Sequence, residues 1–524
     1  MTRQFHAVLA ALLCSPLIGL SAGEHAKPNV LIILADDLGY GDLQCYNPAR
    51  GKIPTPHIDK LAAQGMRFTD AHTSSGVCSP SRYALLTGRY HWRSSLQSGI
   101  VAYLGKPLIA PGRLTIASLL KQHGYRTGIV GKWHLGWDWN IPPERKPLFS
   151  GRKGANGADA TDEHRTAWNA VYSKSIGGGP VTRGFDEYFG TDVPNWPPFC
   201  FIEDDKTVGI PSEFLPASKF ENNQASQPGP ALTGWKLEEI LPAITGRACA
   251  FIERSSKQPE PFFLYLPLTA PHTPIAVSEE WRGRSGLNAY ADFVMETDAM
   301  VGRVLDTLEK CGAAQKTLVL FSSDNGCAQY AGAPELEAKG HYPSGPLRGY
   351  KSEAWEGGHR VPFLVRWPGF VNSGTRCDAL VQQTDVIMTI AEALGTKLPE
   401  NAAEDSMSLM PLLKGGTVPI REYGISHASS GLPSLRKGNW KIIFGQGGGG
   451  FSPTGSKTPG GQLYDLSTDL GETKNLWTEK PKLVAQLTAT MEQLVNDGRS
   501  TPGAKQSNDV EVKWRKFLSA KSAR

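Results

Sequence analysis

The stretch Val30-Leu31-Ile32-Ile33-Leu34-Ala35-Asp36-Asp37 decides how this chain is read. Its apolar residues run without a polar break, the pattern of a strand buried on both faces. Two carboxylates follow at once. Residues 317–326 repeat the arrangement: Leu318-Val319-Leu320-Phe321 leads into Ser322-Ser323-Asp324-Asn325-Gly326. Two more runs of strand length, residues 127–130 and 262–266, lead into Gly131-Lys132-Trp133-His134-Leu135-Gly136 and, just beyond Pro267, into Ala270-Pro271-His272-Thr273-Pro274.

Helical patterns lie between these runs. Residues 55–64 space Ile58, Leu61 and Ala62 along one face, and residues 115–123 and 290–308 look similar. This alternation predicts an α/β fold, a large mainly parallel or mixed sheet sandwiched by helices. Residues 140–182 are polar and rich in Gly and Pro, and read as a long excursion outside the core. Further on, strand-like residues 440–444 and 462–466 flank a low-complexity stretch, residues 445–461, which reads as a mobile loop. Leu483, Leu487, Met491 and Leu494 then step at helical spacing. A smaller C-terminal subdomain, an antiparallel sheet plus a helix, is therefore expected over residues 415–524. The large domain occupies residues 23–414, behind a signal peptide at residues 1–22.

That signal is read from Arg3, the mostly apolar residues 6–20 and the small residues around Ala22. The apolar stretch is too short and interrupted to span a bilayer. Leu13 stands before Cys14 where a lipoprotein signal needs a small residue, so cleavage is favoured over lipidation. No later segment reads as a membrane span, and an exported protein, periplasmic or secreted, is expected. With 524 residues, 40% of them hydrophobic, the chain can bury a sizeable core. The net charge of +5, from 55 Lys+Arg against 50 Asp+Glu, mildly suits an anionic substrate and gives no argument for nucleic acid. Lys513, Arg515, Lys516, Lys521 and Arg524 read as a solvated terminus. Besides Cys14 and Cys78 there are Cys45, Cys200, Cys249, Cys311, Cys327 and Cys377, whose pairing the sequence leaves open. Buried free thiols are the alternative.

In open α/β sheets, ligands bind at the carboxyl ends of the strands. Asp36, Asp37, Asp324 and Asn325 all fall at that edge. Three carboxylates and an amide oxygen form a hard-oxygen set suited to Ca²⁺, and also possible for Mg²⁺. Either pair alone can serve merely as a helix cap; their shared edge argues for a site. Lys132, His134 and His272 reach the same edge, adding a cation and groups that titrate near neutral pH.

The segment Val77-Cys78-Ser79-Pro80-Ser81-Arg82, continued by Leu85-Leu86-Thr87-Gly88-Arg89, resembles the formylglycine signature of the type I sulfatases. The branch it looks most like is that of the arylsulfatases and N-acetylgalactosamine-sulfatases, within the alkaline phosphatase superfamily. The resemblance runs through almost the whole mature chain. It includes Gly39-Tyr40-Gly41-Asp42, Gly184-Phe185-Asp186, Leu347-Arg348-Gly349-Tyr350-Lys351, Glu356-Gly357-Gly358, Arg360-Val361-Pro362 and Leu463-Tyr464-Asp465-Leu466. Tyr350 and Ser352 flank Lys351 where glycine and a small residue are commoner, and Ser406 replaces an expected glycine; these departures touch pocket shape rather than class.

The resemblance implies a set of roles. A formylglycine-generating maturation enzyme oxidises Cys78. Asp36, Asp37, Asp324 and Asn325, with residue 78, hold one Ca²⁺. The hydrated aldehyde at position 78 offers one hydroxyl to attack sulfur and a second that later lets sulfate leave. Arg82 orients that hydrate. Lys132 and Lys351 grip sulfate oxygens as point charges. His134 takes a proton from the second hydroxyl, and His272, with Lys351, protonates the leaving oxygen. Export, together with Trp137, Trp139, Trp196 and Phe199 as stacking surfaces and Asp138, Asp192, Glu203 or His341 as hydroxyl ligands, suggests a sulfated carbohydrate; an aryl sulfate is the other substrate class. Three rivals differ in chemistry. A phosphate or phosphonate ester hydrolase of the same superfamily would use another ligand set. A catalytically dead sulfated-glycan binding protein would keep Cys78 unmodified. A two-metal phosphatase needs a second His and Asp cluster, and the sequence shows no clear one.

Overall fold

Strand β1 (Asn29–Ala35) has no exposed residue. Successive side chains of a strand point to opposite faces, so Val30, Ile32 and Leu34 enter one apolar core while Leu31, Ile33 and Ala35 enter another. The computed structural model describes residues 27–149, 160–220, 225–452 and 460–518; the expected signal peptide, with Cys14, lies outside them, as do Lys521 and Arg524.

Nine further strands join β1: β2 (Met66–Phe68), β3 (Arg126–Lys132), β4 (Glu187–Thr191), β5 (Ile202–Glu203), β6 (Lys206–Thr207), β7 (Phe262–Pro267), β8 (Thr317–Ser323), β9 (Phe363–Arg366) and β10 (Thr375–Cys377). Their order is β10-β2-β9-β8-β1-β7-β3-β4-β5-β6. The five central strands, β8-β1-β7-β3-β4, are parallel, and antiparallel pairings flank them on both sides. The alternation seen in β1 recurs: Phe263 and Tyr265 of β7 and Leu318 and Leu320 of β8 face the first core, while Leu264, Leu266, Val319 and Phe321 face the second. Helices α2 (Cys78–Thr87), α3 (Ile116–Gln122), α4 (Asp162–Tyr172) and α7 (Val386–Ala393) cover the first core. Helices α1 (Pro56–Ala63), α5 (Ile240–Ser255) and α6 (Ala289–Lys310) cover the second. The expected sheet sandwiched by helices is what is found.

Three details differ from expectation. The polar stretch at residues 140–182 contains α4, whose Trp168, Val171 and Tyr172 are buried with Phe149 and Ile176 in the first core. A few large apolar residues on one helical face suffice to dock a segment that is polar on average. The tail is not wholly solvated either: Trp514 is buried against Phe444, with ring centroids 4.9 Å apart. The described ends of the glycine-rich loop are hydrogen-bonded to their surroundings, while residues 453–459 lie outside the described residues. Gln462 Nε2 donates to the carbonyls of Gly445 and Gly447 (both 2.9 Å), Ala354 N–H donates to Gly448 O (2.7 Å), and Ser452 N–H donates to Glu353 Oε1 (2.9 Å).

That loop belongs to a second, antiparallel sheet of strands β11 (Tyr423–His427), β12 (Pro433–Lys437), β13 (Trp440–Ile443) and β14 (Gln462–Asp465). Helix α8 (Pro481–Asn496) packs Leu487, Met491 and Leu494 on Ile425, Leu435, Ile442 and Leu463, together with Tyr90 and Trp92 from the larger part. The seven described cysteines are free thiols. No helix among the described residues is long and apolar enough to cross a membrane.

The two parts share a buried ionic joint. Lys441 of β13 reaches Glu356 Oε1 (2.9 Å) and Glu472 Oε1 (2.8 Å), and all three side chains are fully buried or nearly so. Arg436 of β12 pairs with Asp70 (3.1 Å) and Glu356 (3.3 Å), and Arg360 pairs with both as well (3.2 Å each). Three carboxylates meet three cations, so the joint is neutral only when complete. Replacing Lys441 by Met leaves Glu356 and Glu472 without their shared cation and is expected to cost about 3–5 kcal/mol. Urea unfolding checks this, and an unchanged midpoint would reject the assignment.

Candidate active site

The site is built where the parallel strands end. Register pairs Ala35 of β1 with Ser323 of β8, so the next residues, Asp36 and Asp324, emerge side by side. Backbone hydrogen bonds carry the ladder one step past the strands: Asp36 N–H donates to Ala270 O (3.0 Å) and Asp324 N–H to Ala35 O (3.1 Å). Asp37 then turns with φ 65°, its N–H donating to Asp324 Oδ1 (3.2 Å). His134 also has positive φ, 53°. Residues other than glycine hold such conformations only where their surroundings fix them, commonly at functional sites.

Helix α2 brings Cys78 to this edge in its first turn, where the helix dipole is positive. The Cys78 thiol lies 3.6 Å from Asp36 Oδ1. Arg82, one turn later on the same face, donates through Nε (3.0 Å) and Nη2 (2.7 Å) to Asp324 Oδ2, with Nη2 also 3.5 Å from Asp36. Gly88 closes the helix with φ 65°; a Cβ there would stand 2.4 Å from Ile387 Cγ2. The Gly326 backbone is pressed against another segment, since a Cβ on it would meet Gly357 O at 1.9 Å. These contacts give the motif glycines their structural reason.

Lys132, the last residue of β3, reaches Asp36 Oδ2 (2.7 Å), and Lys351 reaches Asp37 Oδ2 (2.7 Å). His272 Nε2 stands 3.6 Å from Asp37 Oδ2, and its Nδ1 is bonded to Thr273 O. Burial would raise the Asp36 carboxyl, but Lys132, His272 and Arg82 around it hold it well below the usual carboxylate range. Burial and the charge of Asp36 push Asp324 up to about 6. Burial, then Lys351, lowers His272 to about 4; burial, then Lys132 and Arg82, drives His134 well below its ordinary value. Both histidines are thus neutral near pH 7. All ten residues expected at the site, Asp36, Asp37, Cys78, Arg82, Lys132, His134, His272, Asp324, Asn325 and Lys351, lie buried at this one edge.

The donors suit a hard divalent cation. Ligand atoms of Asp36, Asp37, Cys78 and His272 lie within 4.8 Å of one another. Asn325 spends its Nδ2 on Asp37 Oδ1 (2.7 Å) and Gly326 O (2.9 Å), while its buried Oδ1 has no partner. An orphaned amide oxygen beside three carboxylates is what an oxygen-seeking ion requires. Asp36, Asp37 and Asp324 balance Arg82, Lys132 and Lys351, so a divalent ion would leave the edge positive, complementary to an anion.

Other expectations are corrected. Trp137, Trp139 and Phe199 are packed in apolar clusters and offer no stacking face. His341 is buried between Asp42 (2.9 Å) and the Lys52 N–H (3.0 Å). Asp138 pairs with Lys106 and Glu203 with Arg247, both at the surface. Asp192 accepts the His134 N–H (3.2 Å) and so positions that histidine, while Trp196 stands edge-on to its ring at 5.8 Å. A second His and carboxylate cluster does exist, His72, Glu356 and His359. It is the ionic joint: His72 Nδ1 bonds His359 Nδ1 (3.0 Å), and the Lys441 ammonium, 3.2 Å from His359 Nε2, already supplies the cation. Residues this far apart in sequence carry no spacing signal that could have shown it.

Residues 28–396, well over half of the chain, match the sulfatase family model. An N-acetylgalactosamine-6-O-sulfatase of Bacteroides thetaiotaomicron is 33% identical over 510 residues, covering 92% of this chain and 96% of the relative. Human arylsulfatase A is 32% identical over 490 residues, covering 88% and 86%. A solved structure described with the metabolism of multiple glycosaminoglycans by Bacteroides thetaiotaomicron superposes with a TM-score of 0.74 at 31% identity, covering 89% of this chain and 99% of the other.

Proposed function

The chain belongs to the sulfatase family and is a sulfuric ester hydrolase; from that premise we propose that it is exported, carries formylglycine at position 78 and one Ca²⁺, and acts on sulfated carbohydrates. The catalytic domain is taken as residues 23–414 and the smaller subdomain as residues 415–524. The observation that carries the reading is the meeting of Cys78 with Asp36, Arg82 and the orphaned Asn325 oxygen at one buried edge. The similarity to a sugar-specific sulfatase over nearly the full chain supports the substrate class. The apolar residues 6–20 behind Arg3 support export.

Asp36, Asp37, Asp324 and Asn325 would hold the ion, with residue 78 beside it. Ca²⁺ supplies a Lewis acid that polarises oxygens near sulfur. Formylglycine, made from Cys78 by a maturation enzyme, supplies when hydrated one hydroxyl for attack on sulfur and another whose loss of a proton lets sulfate depart. Lys132 and Lys351 bind the anionic oxygens, and Arg82 holds the hydrate's neighbours in place through Asp324 and Asp36. His134 Nε2 faces the Val101 carbonyl at 3.2 Å, and a carbonyl only accepts, so Nε2 carries the proton. His134 Nδ1 is then the bare nitrogen, buried without a partner, and is the atom that takes a proton. His272 Nδ1–H is tied to Thr273 O, so Nε2 is the nitrogen on which protonation of the neutral ring would place the acidic proton. An arriving sulfate anion favours the protonated imidazole there.

Free-sulfate release tests the substrate class, measured on sulfated sugars of single defined positions and on an aryl sulfate with protein co-produced with a maturation enzyme. Turnover of one sugar position is expected; silence across the panel with Cys78 converted would end the sulfated-carbohydrate reading. His272→Ala should slow sugar sulfates by about 10²- to 10⁴-fold and aryl sulfates less, because a phenolate leaves without an acid. Equal losses would remove His272 from the acid role. Adding Ca²⁺ to chelator-stripped protein should raise its unfolding temperature by mass action. Asp324→Asn should abolish that rise, and a wild-type midpoint indifferent to Ca²⁺ would count against this ligand set.

A further inference from the structure

A cleft of about 1000 Å³ opens beside the catalytic edge, lined by Thr273 and Pro274, which follow His272, and by Tyr330 and Phe451. Of the six exposed large hydrophobic side chains among the described residues, only these last two are aromatic, and they touch. Tyr330 is 46% exposed and Phe451 64%, with ring centroids 5.9 Å apart and planes at 72°. Lys351 Nζ stands 6.0 Å from the Tyr330 ring, so the aromatic pair begins where the catalytic cations end. Phe451 is contributed by the glycine-rich loop of the second sheet and is fixed there by the adjacent Ser452 N–H on Glu353.

Solvent-facing aromatics cost hydration unless something covers them. Lys219 and Arg282 also line the cleft; both are exposed, and neither has an ion pair among the described residues. Arg282 uses only Nε, donating to Val277 O (3.1 Å), which leaves its outer nitrogens free. Two carboxylates, Glu238 and Asp292, line the cleft as well; both Asp292 oxygens are taken up by the Gly283 and Ser285 N–H groups (2.7 Å each), which leaves the Lys219 and Arg282 donors, with Glu238, to meet a ligand. A sugar ring has an apolar C–H face suited to an aromatic platform, and a uronate or a second sulfate suits the cations.

We propose that this cleft is a binding subsite for the anionic sugar unit adjoining the sulfated one in a glycan chain, with Tyr330 and Phe451 stacking its ring and Lys219 and Arg282 meeting its charge. The assignment rests on the carbohydrate reading above and adds that the preferred substrate is an oligosaccharide rather than a single sulfated sugar. The test compares kcat/KM on 6-sulfated N-acetylgalactosamine, on a glycosaminoglycan tetrasaccharide carrying it, and on an aryl sulfate. Phe451→Ala should raise KM for the tetrasaccharide about tenfold, the scale of one lost stacking contact, and by clearly more than for the two smaller substrates. Phe451→Trp should restore it. Equal losses on all three substrates, or none on the tetrasaccharide, would overturn the subsite while leaving the carbohydrate reading intact. Wild-type protein that hydrolyses the aryl sulfate and no sulfated sugar of any length would overturn that reading and the subsite together.

Discussion

Asp36 is buried without exposure between the Lys132 ammonium, the Arg82 guanidinium and the Cys78 thiol. Desolvated charges cost several kcal/mol each unless paired, so the elements around this cluster are held to tight positions. β1 must present Asp36 at its end, β3 must stop at Lys132, and α2 must begin at Cys78 so that Arg82 falls one turn later. The parallel register of β1, β7 and β8 satisfies all of these at once, because it sets several strand ends at one level. A slip by one residue would turn the apolar side chains of a strand to the wrong face, and it would also strand a carboxylate in the core.

The second sheet is more than a cover. Its Lys441, Arg436 and Glu472 complete a buried ionic joint with Asp70, Glu356 and Arg360. Glu356 opens the short helical turn Glu356–His359, and Gly357 within it packs against Gly326, directly behind Asp324-Asn325. The C-terminal sheet therefore braces the Asp324-Asn325 side of the edge from behind. From the front, its glycine-rich loop carries Phe451 to the cleft mouth. The glycines let the loop lie close on its neighbours, and a Cβ on Gly450 would come within 2.3 Å of Ser352 Oγ.

The two active-site histidines are separated by their surroundings rather than by their type. Val101 O accepts from Nε2 of His134, and Thr273 O accepts from Nδ1 of His272, so opposite nitrogens of the two rings are tied back to carbonyls. Asp192 holds the backbone of the first, while Asp37 faces the ring of the second. This division leaves a bare Nδ1 on the first imidazole and turns Nε2 of the second toward the Asp37 carboxylate.

The apolar runs that end in Asp36-Asp37, Lys132, His272 and Asp324-Asn325 were enough to read an α/β sheet with a site at its carboxyl edge. Burial on both faces leaves no polar residue in a strand, and a polar cluster just beyond it then has few other reasons to exist. Cys78 and Arg82 were legible through their resemblance to the formylglycine signature, and the structure added the helical turn that puts both on one face. Lys351 was found through resemblance alone, because no strand or helix pattern leads to it. The tertiary structure alone decided which aromatics are free: Trp137 and Trp139 have the same chemistry as a sugar platform but fill the core, whereas Tyr330 and Phe451, over a hundred residues apart, meet in solvent. It also decided that the His72, Glu356 and His359 cluster is a joint filled by Lys441. Local sequence records the period and the type of side chain. Which side chains are desolvated, and which distant charges neutralise each other, depends on how strands and loops far apart in the chain are packed together.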